Sequence, residues 1–241
     1  ICHTISHEEA MVMPGDVYVG GDSHTNTTGA LGAFACGLGH TDIAYVLLNG
    51  NIWFKVPETY YFKLNGKLPD HVMAKDVILK IIGDIGNDGG AYRTMQFGGS
   101  GIDEMSVESR LTLCNMTTEA GAKNGIVEPD QKVVDYLSQR GASNFNLVTG
   151  DSDAEYSKIF EYQAENLSLA LFLKLHEQKK QNVLRYQHRR DSRQNISPYA
   201  QKRADNPHKA RVSVLNVVRE WQIRKRVAQQ TRFVWLRIQM H

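Results

Sequence analysis

Glycine is missing from the last 91 residues of this 241-residue chain: all 20 glycines lie at or before Gly150, whereas average usage would put about six beyond it. Cysteine is scarce as well. Cys2, Cys36 and Cys114 are odd in number and far apart, which argues against a disulfide scaffold and for a reducing compartment, the cytoplasm. They form no CxxC pair, so no metal ligand is assigned from the sequence. No apolar run approaches the ~20 residues that cross a bilayer, so no membrane span is expected. The chain starts at Ile1 and not at Met, and an upstream segment with any targeting signal is expected to precede it.

What is present divides in two. An apolar content of 41% is enough for a sizeable core, and the formal charge of +2 conceals an asymmetry. Residues 1–170 hold 11 Lys and Arg against 22 Asp and Glu, a balance of −11, whereas residues 171–241 hold 17 against 4, a balance of +13. The expected organisation is an α/β domain over residues 1–168, followed by a basic, glycine-free tail over 169–241 to which no packed domain is assigned.

The first part alternates strand and helix signals. Residues 16–20 read as a buried strand ending in a polar loop, and 41–48 as a helix capped by Thr41 with Gly50 beyond its end. Residues 58–68 alternate like a half-exposed strand entering a turn at Asn65-Gly66. Val77, Ile78, Ile81, Ile82 and Ile85 recur at helical spacing. Further helices are expected over 106–120, 130–140 and 153–167. The alternation points to strands covered by helices, an α/β fold.

Three features of this part bear on chemistry. His3 and the loop Gly21-Asp22-Ser23-His24-Thr25 place imidazole, carboxylate and hydroxyl at the end of a buried strand, where open α/β sheets build ligand sites. The same DSHT run also suits an Asx-type turn capping the next segment, and both readings stand. On the helix carrying Arg110, the four-residue spacing of Asn115 and Glu119 puts an amide and a carboxylate on one face. That pair can orient a histidine and hold a substrate oxygen, or simply form a solvated polar stripe. The glycines at 29, 32, 37 and 39 do not spell GxGxxG; they fit close backbone packing against a site or another element.

Taken in order, ICHTISHEEAMVMPGDVYVGGDSHTNTTGALGAFACGLGHTD, WFKVPE, AKDVILKIIG and LCNMTTEAGAKNGIVEPD resemble the large-subunit pattern of the aconitase and isopropylmalate dehydratase family, from about Ile1 to about Leu167. Within that family, WFKVPE and NMTTEAGAKNGI are more similar to isopropylmalate dehydratase or homoaconitase than to mitochondrial-type aconitase. The resemblance implies an aconitase-type three-layer α/β/α domain, present in part, and a hydro-lyase that interconverts 2- and 3-isopropylmalate by dehydration and rehydration in leucine biosynthesis.

The same resemblance assigns residues. It implies that His3 pairs with Asp22 and His24 with Glu119 in proton transfer, and that Asp22, Ser23, His24 and Asn115 contact a small hydroxy-acid substrate. It implies a 4Fe-4S cluster acting as a Lewis acid in the intact family, and a small subunit as heterodimer partner. The family's cluster cysteines lie in an SCTNG-like motif and a CxxC pair downstream of the matched region, and this chain has neither. A further Asp-His segment is expected upstream of Ile1.

Past Asn166 the resemblance fades just where glycine ends and the charge swings, which is what a shifted reading frame produces. The rival is a basic appendage in which Tyr186, Tyr199, Trp221 and Trp235 stack on nucleic acid while cations neutralise phosphates. Basic composition alone does not carry that reading, so nucleic acid is not assigned as a partner. Sequencing the DNA around codons 165–175 tests the frame shift: another frame is expected to continue into SCTNG and CxxC motifs, and its absence would leave the tail genuine.

Overall fold

A computed structural model describes residues 1–168 and 233–237. In chain order the elements are α1 (Cys2–Glu8), β1 (Val17–Gly20), a 3₁₀ segment (Ser23–Leu31), β2 (Phe34–Gly37), α2 (His40–Asn49), β3 (Asn51–Lys55), β4 (Thr59–Asn65) and α3 (Ala74–Ile85). They continue with β5 (Thr94–Gly98), α4 (Ser100–Glu104), α5 (Val107–Asn115), a 3₁₀ turn (Met116–Ala120), β6 (Asn124–Val127), α6 (Gln131–Ser138), β7 (Lys158–Gln163), a 3₁₀ turn (Ala164–Asn166) and β8 (Phe233–Arg237).

The fold is α/β with parallel pairing at its centre. A four-stranded sheet runs β6-β5-β4-β7, every neighbour parallel, and β1 and β2 form a second parallel pair. Helices between parallel strands make the return crossings that such sheets require. The main core joins Phe62 and Leu64 of β4, Met95 and Phe97 of β5, the α3 face Val77, Ile78, Ile81 and Ile82, and Leu111, Leu113 and Cys114 of α5. A smaller core gathers Cys36, Val46, Ile52 and Phe54. Among the described residues no helix is long and apolar enough to cross a membrane.

Several expectations need correcting. Thr41 does not cap α2; the helix begins one residue earlier behind Gly39, and Gly50 closes it with a positive φ of 62°. Residues 58–68 do hold the expected half-exposed strand, β4, with burial alternating along it and a bend at Gly66 (φ 82°); what the pattern did not reveal is that β4 lies inside a parallel sheet between β5 and β7, with Phe62 and Leu64 buried. The expected helix over 153–167 does not form: Lys158–Gln163 is a strand that pairs with β4 in parallel register, with Phe160 stacked on Phe62 at 4.7 Å, and Ala164–Asn166 is a 3₁₀ turn. The expected helix over 106–120 breaks at Asn115. Beyond it Thr117 donates its hydroxyl to the Cys114 carbonyl and the chain winds as 3₁₀. In such a turn residues three apart line up, so Glu119 does not stay on Asn115's face.

Of the residues assigned to an irregular tail, Phe233–Arg237 pair antiparallel with Asn51–Lys55, so this stretch is a strand. The rest of the tail, with the frame-shift and nucleic-acid readings that concern it, lies outside the described residues.

Arg110 is not part of the polar loop cluster. It is 1% exposed and binds Asp130 at 2.6 Å, while the Asp130 carboxylate also caps α6 through the Val133 N–H. Burial pushes the Asp130 carboxyl upward, but the hydrogen bond and charge of Arg110, with the Val133 and Lys132 amides, outweigh it and hold it below the usual range. The stability this contributes is fully present above the ordinary carboxylate value, ~3.9, and is lost as pH falls through the lower folded value. Asp130→Asn keeps a capping side chain but leaves a buried, unpaired guanidinium. Urea unfolding at pH 7 is expected to show a loss of about 3 kcal/mol, the low end for a broken buried pair because the carboxylate is partly exposed. The variant should also lack the wild type's extra acid sensitivity below pH ~4.

Candidate active site

The site begins with the end of β1. Val17–Gly20 runs into Gly21 and Asp22, and the Asp22 carboxylate caps the following 3₁₀ segment by accepting the His24 N–H at 2.7 Å. Thr25, Asn26, Thr27 and Thr28 are buried polar residues, and local hydrogen bonds hold their turns. Thr25 donates to the Asp22 carbonyl at 2.7 Å and Thr27 to the His24 carbonyl at 2.6 Å. Those bonds explain why a run of threonines forms 3₁₀ turns here: each hydroxyl takes a carbonyl that a regular helix would use.

Small residues allow the segment to sit this deep. A Cβ on Gly29 would collide with the Gly125 carbonyl oxygen on β6, and one on Gly37 would strike the backbone of Asp22 and Ser23. The glycine run is therefore a close-packing device that seats the Asp22–His24 loop against its neighbours.

The 3₁₀ turn after α5 supplies the other side. Thr118 donates its hydroxyl to the Ser23 carbonyl at 2.7 Å, Asn26 donates to Thr117 at 3.1 Å, and Asn115 donates to Thr27 at 2.9 Å. Asn115 thus supports the hydroxyl that in turn holds the His24 backbone. Asn26, Thr27 and Thr118 were not singled out from the sequence; only their hydroxyl and amide chemistry beside DSHT and NMTTE pointed that way.

The imidazoles and carboxylates form one array. His3 Nδ1 lies 3.7 Å from Asp22 Oδ1, the same oxygen lies 3.6 Å from His24 Nδ1, and His24 Nε2 lies 3.6 Å from Glu119 Oε1. The Ser23 hydroxyl is 3.2 Å from His24 Nδ1, and the two imidazole rings are 6.2 Å apart. The pairs His3–Asp22 and His24–Glu119 that were expected separately are joined through Asp22. His3, Asp22, Ser23, His24 and Glu119 come together; Asn115 stands one hydrogen bond behind them. Next to Ser23 and Thr118 a cleft of about 420 Å³ also takes in Asn26, Gly37, His40 and Lys123. Lys123 donates to the Gly37 carbonyl at 3.2 Å.

Such an array can do proton chemistry on an oxygen-rich ligand. The carboxylates stand within ion-pair reach of the imidazoles, without a hydrogen bond at 3.6 to 3.7 Å, close enough to favour imidazole proton transfer, and a hydroxyl at the mouth can accept or donate to a ligand carboxylate.

A model of the aconitase family (aconitate hydratase) matches residues 1–224. The chain is 49% identical over 165 residues to the 3-isopropylmalate dehydratase large subunit of Heliobacterium modesticaldum, covering 68% of this chain and 39% of that protein. It is 50% identical over 164 residues to 3-isopropylmalate dehydratase large subunit 1 of Pyrococcus abyssi, again 68% and 39%. It is 47% identical over 167 residues to the probable methanogen homoaconitase large subunit of Methanothermobacter thermautotrophicus, 69% and 39%. The chain belongs to the aconitase family, and it spans about two-fifths of the length of these curated relatives.

The family implies a 4Fe-4S cluster in the intact enzyme, and the thiols of this chain do not fit one. Three or four thiolates must converge on a cluster. Cys36 and Cys114 are fully buried, Cys2 is exposed, and they lie on β2, α5 and α1. Burial pushes the Cys36 thiol up to about 11 and the Cys114 thiol up further still, which favours the protonated form over a ligating thiolate.

The hydrogen bond from Thr118 to the Ser23 carbonyl is expected to hold the DSHT loop. Thr118→Val, which keeps the shape and removes the donor, should cost about 1 kcal/mol. It should also broaden the His24 imidazole signals in ¹⁵N-histidine NMR while leaving His71, in a distant loop, unchanged. Sharp, unshifted His24 signals would show that the loop stands without that bond.

Proposed function

We propose that this chain is the proton-handling part of a 3-isopropylmalate dehydratase-type large subunit. The parent enzyme removes water from 2-isopropylmalate and re-adds it to give 3-isopropylmalate, in leucine biosynthesis. The observation that carries the reading is the array His3–Asp22–His24–Glu119 with Ser23 at its mouth.

The chemistry asked of this chain is limited. Asp22 and Glu119 orient the imidazoles of His3 and His24 as proton carriers, so that a departing hydroxyl leaves as water. Ser23 receives a substrate carboxylate, and Asn115 keeps the loop in place through Thr27. Histidine acid catalysis supplies ~100-fold to 10,000-fold, far short of an enzymatic rate on a poor leaving group. The Lewis acid, with its thiolate ligands, therefore belongs to segments other than this chain, and the small subunit completes the heterodimer around the hydroxy acid. The working unit of this chain is residues 1–168, supported by relatives that align over about that length. The proposed compartment is the cytoplasm, which suits three free thiols. A related hydratase acting on homoaconitate is the second reading, favoured by the homoaconitase relative.

The full chain, ¹⁵N-histidine labelled, tests this reading in titrations with 3-isopropylmalate and with homoaconitate. The first ligand is expected to shift His3 and His24 selectively at millimolar concentration and to lose that effect in Ser23→Ala; a preference for homoaconitate would transfer the assignment. Shifts at neither histidine would overturn the proposal. Anaerobic reconstitution with iron and sulfide is expected to give neither a stoichiometric cluster nor turnover, even with a competent small subunit. A cluster with turnover would show that the ligands had been misjudged.

A further inference from the structure

Cys2 and Asp22 stand twenty residues apart in the chain, yet the fold brings them to one point. A ligating atom from each of Cys2, His3 and Asp22 lies within 4.8 Å of the other two, a group of the kind that holds a metal ion. We propose that Cys2, His3 and Asp22 form a mononuclear site for a borderline-soft divalent cation, with zinc the best match. It is separate from any iron-sulfur cluster.

Ligand chemistry favours this choice. Thiolate, imidazole and carboxylate are the three donor types that Zn²⁺ takes, and three protein ligands with a fourth position left open is the arrangement of a reactive zinc site. Magnesium and calcium would prefer a set made only of oxygens. Spacing favours it too. Ligands about 2.0 to 2.3 Å from a tetrahedral metal stand roughly 3.3 to 3.7 Å from one another. His3 Nδ1 and Asp22 Oδ1 are 3.7 Å apart, too far for a hydrogen bond and a few tenths of an ångström wider than the N–O edge of that tetrahedron, and all three ligand atoms lie within 4.8 Å, so a small inward movement of the side chains would seat the ion.

His3 gives an independent indication. Its Nδ1 is out of contact with solvent and has no hydrogen-bond partner, although the ring as a whole is partly exposed. A buried ring nitrogen without a partner is costly, and a metal bond would satisfy it. Cys2 is the exposed cysteine of the three, whereas Cys36 and Cys114 are buried, so it is the one an arriving ion can reach. Asp22 is fixed in advance, since its Oδ1 accepts the His24 N–H and the loop is held from both sides. Supporting contacts of this sort hold first ligands in place and add to affinity.

Binding would displace the thiol proton of Cys2 to solvent and leave sulfur, nitrogen and oxygen on the cation with no change of oxidation state. The fourth position would hold water or a ligand oxygen. Because His3 and Asp22 would be occupied, the bound ion would compete with their role as a proton pair. Zinc is therefore expected to act on the proposed hydro-lyase array as an inhibitor.

Anaerobic titration of the full chain with Co²⁺, the spectroscopic stand-in for zinc, tests the site. One equivalent is expected to give the intense visible bands of a tetrahedral ion together with a thiolate-to-metal charge-transfer band, both removed by an equivalent of Zn²⁺. Cys2→Ser, a change at an exposed position, should abolish the charge-transfer band. Asp22→Asn should weaken affinity at least about tenfold, the loss that even an outer partner's removal produces. Circular dichroism confirms that each variant is folded. Weak octahedral bands, a charge-transfer band that survives in Cys2→Ser, or affinity unchanged in Asp22→Asn would each overturn the proposal. None of these outcomes depends on whether 3-isopropylmalate binds, so the metal site and the hydro-lyase reading fail or stand separately.

Discussion

One carboxylate oxygen organises the site. Asp22 Oδ1 accepts the His24 backbone N–H at 2.7 Å and stands 3.7 and 3.6 Å from the imidazoles of His3 and His24. The N–H bond makes Asp22 the cap of the 3₁₀ segment, and the same bond turns its oxygen toward both rings. Structural and chemical roles are therefore not alternatives here. The turn reading and the catalytic reading of DSHT describe a single geometry, and removing the carboxylate would disturb backbone and imidazoles together.

That geometry depends on crowding from behind. The loop is placed by backbone contacts that tolerate no side chain, at Gly29 against Gly125 and at Gly37 against Asp22 and Ser23. It is closed from the front by hydroxyl and amide donors on the turn after α5. The buried threonines would be a liability in an apolar core; each is spent instead on a local carbonyl. Polar groups are thus used to fix a loop where an apolar core would hold it less specifically.

Much of this was readable before the fold was known, for identifiable reasons. The α3 face was plain because Val77, Ile78, Ile81 and Ile82 keep one helical stripe, all buried. The strand before DSHT was legible because glycines and polar residues bound a short apolar run, but it is half-buried along Val17–Gly20 where a buried strand was expected, since among the described residues it pairs only with β2. Residues 153–167 misled because Tyr156, Ile159 and Phe160 fall at helical spacing; pairing of Lys158–Gln163 with β4 decides for strand, and that partner lies about a hundred residues earlier. The histidine-carboxylate pairs came from motif resemblance, and the spacing argument offered for Asn115 and Glu119 failed when α5 gave way to 3₁₀. The sharing of Asp22 between two histidines was out of reach, since it depends on how α1 lies across the loop.

The hydrogen bonds that assemble the site span long stretches of chain: 88 residues from Asn115 to Thr27, 91 from Thr117 to Asn26, 95 from Thr118 to Ser23. Closing loops of that length costs entropy before any contact repays it. During synthesis His3, Asp22 and His24 emerge early and wait, with no partner turn to hold them, until residues near 120 have left the ribosome. The reactive cluster is consequently a late product of folding, and the growing chain presents its imidazoles and its exposed thiol to the cell before it presents a site.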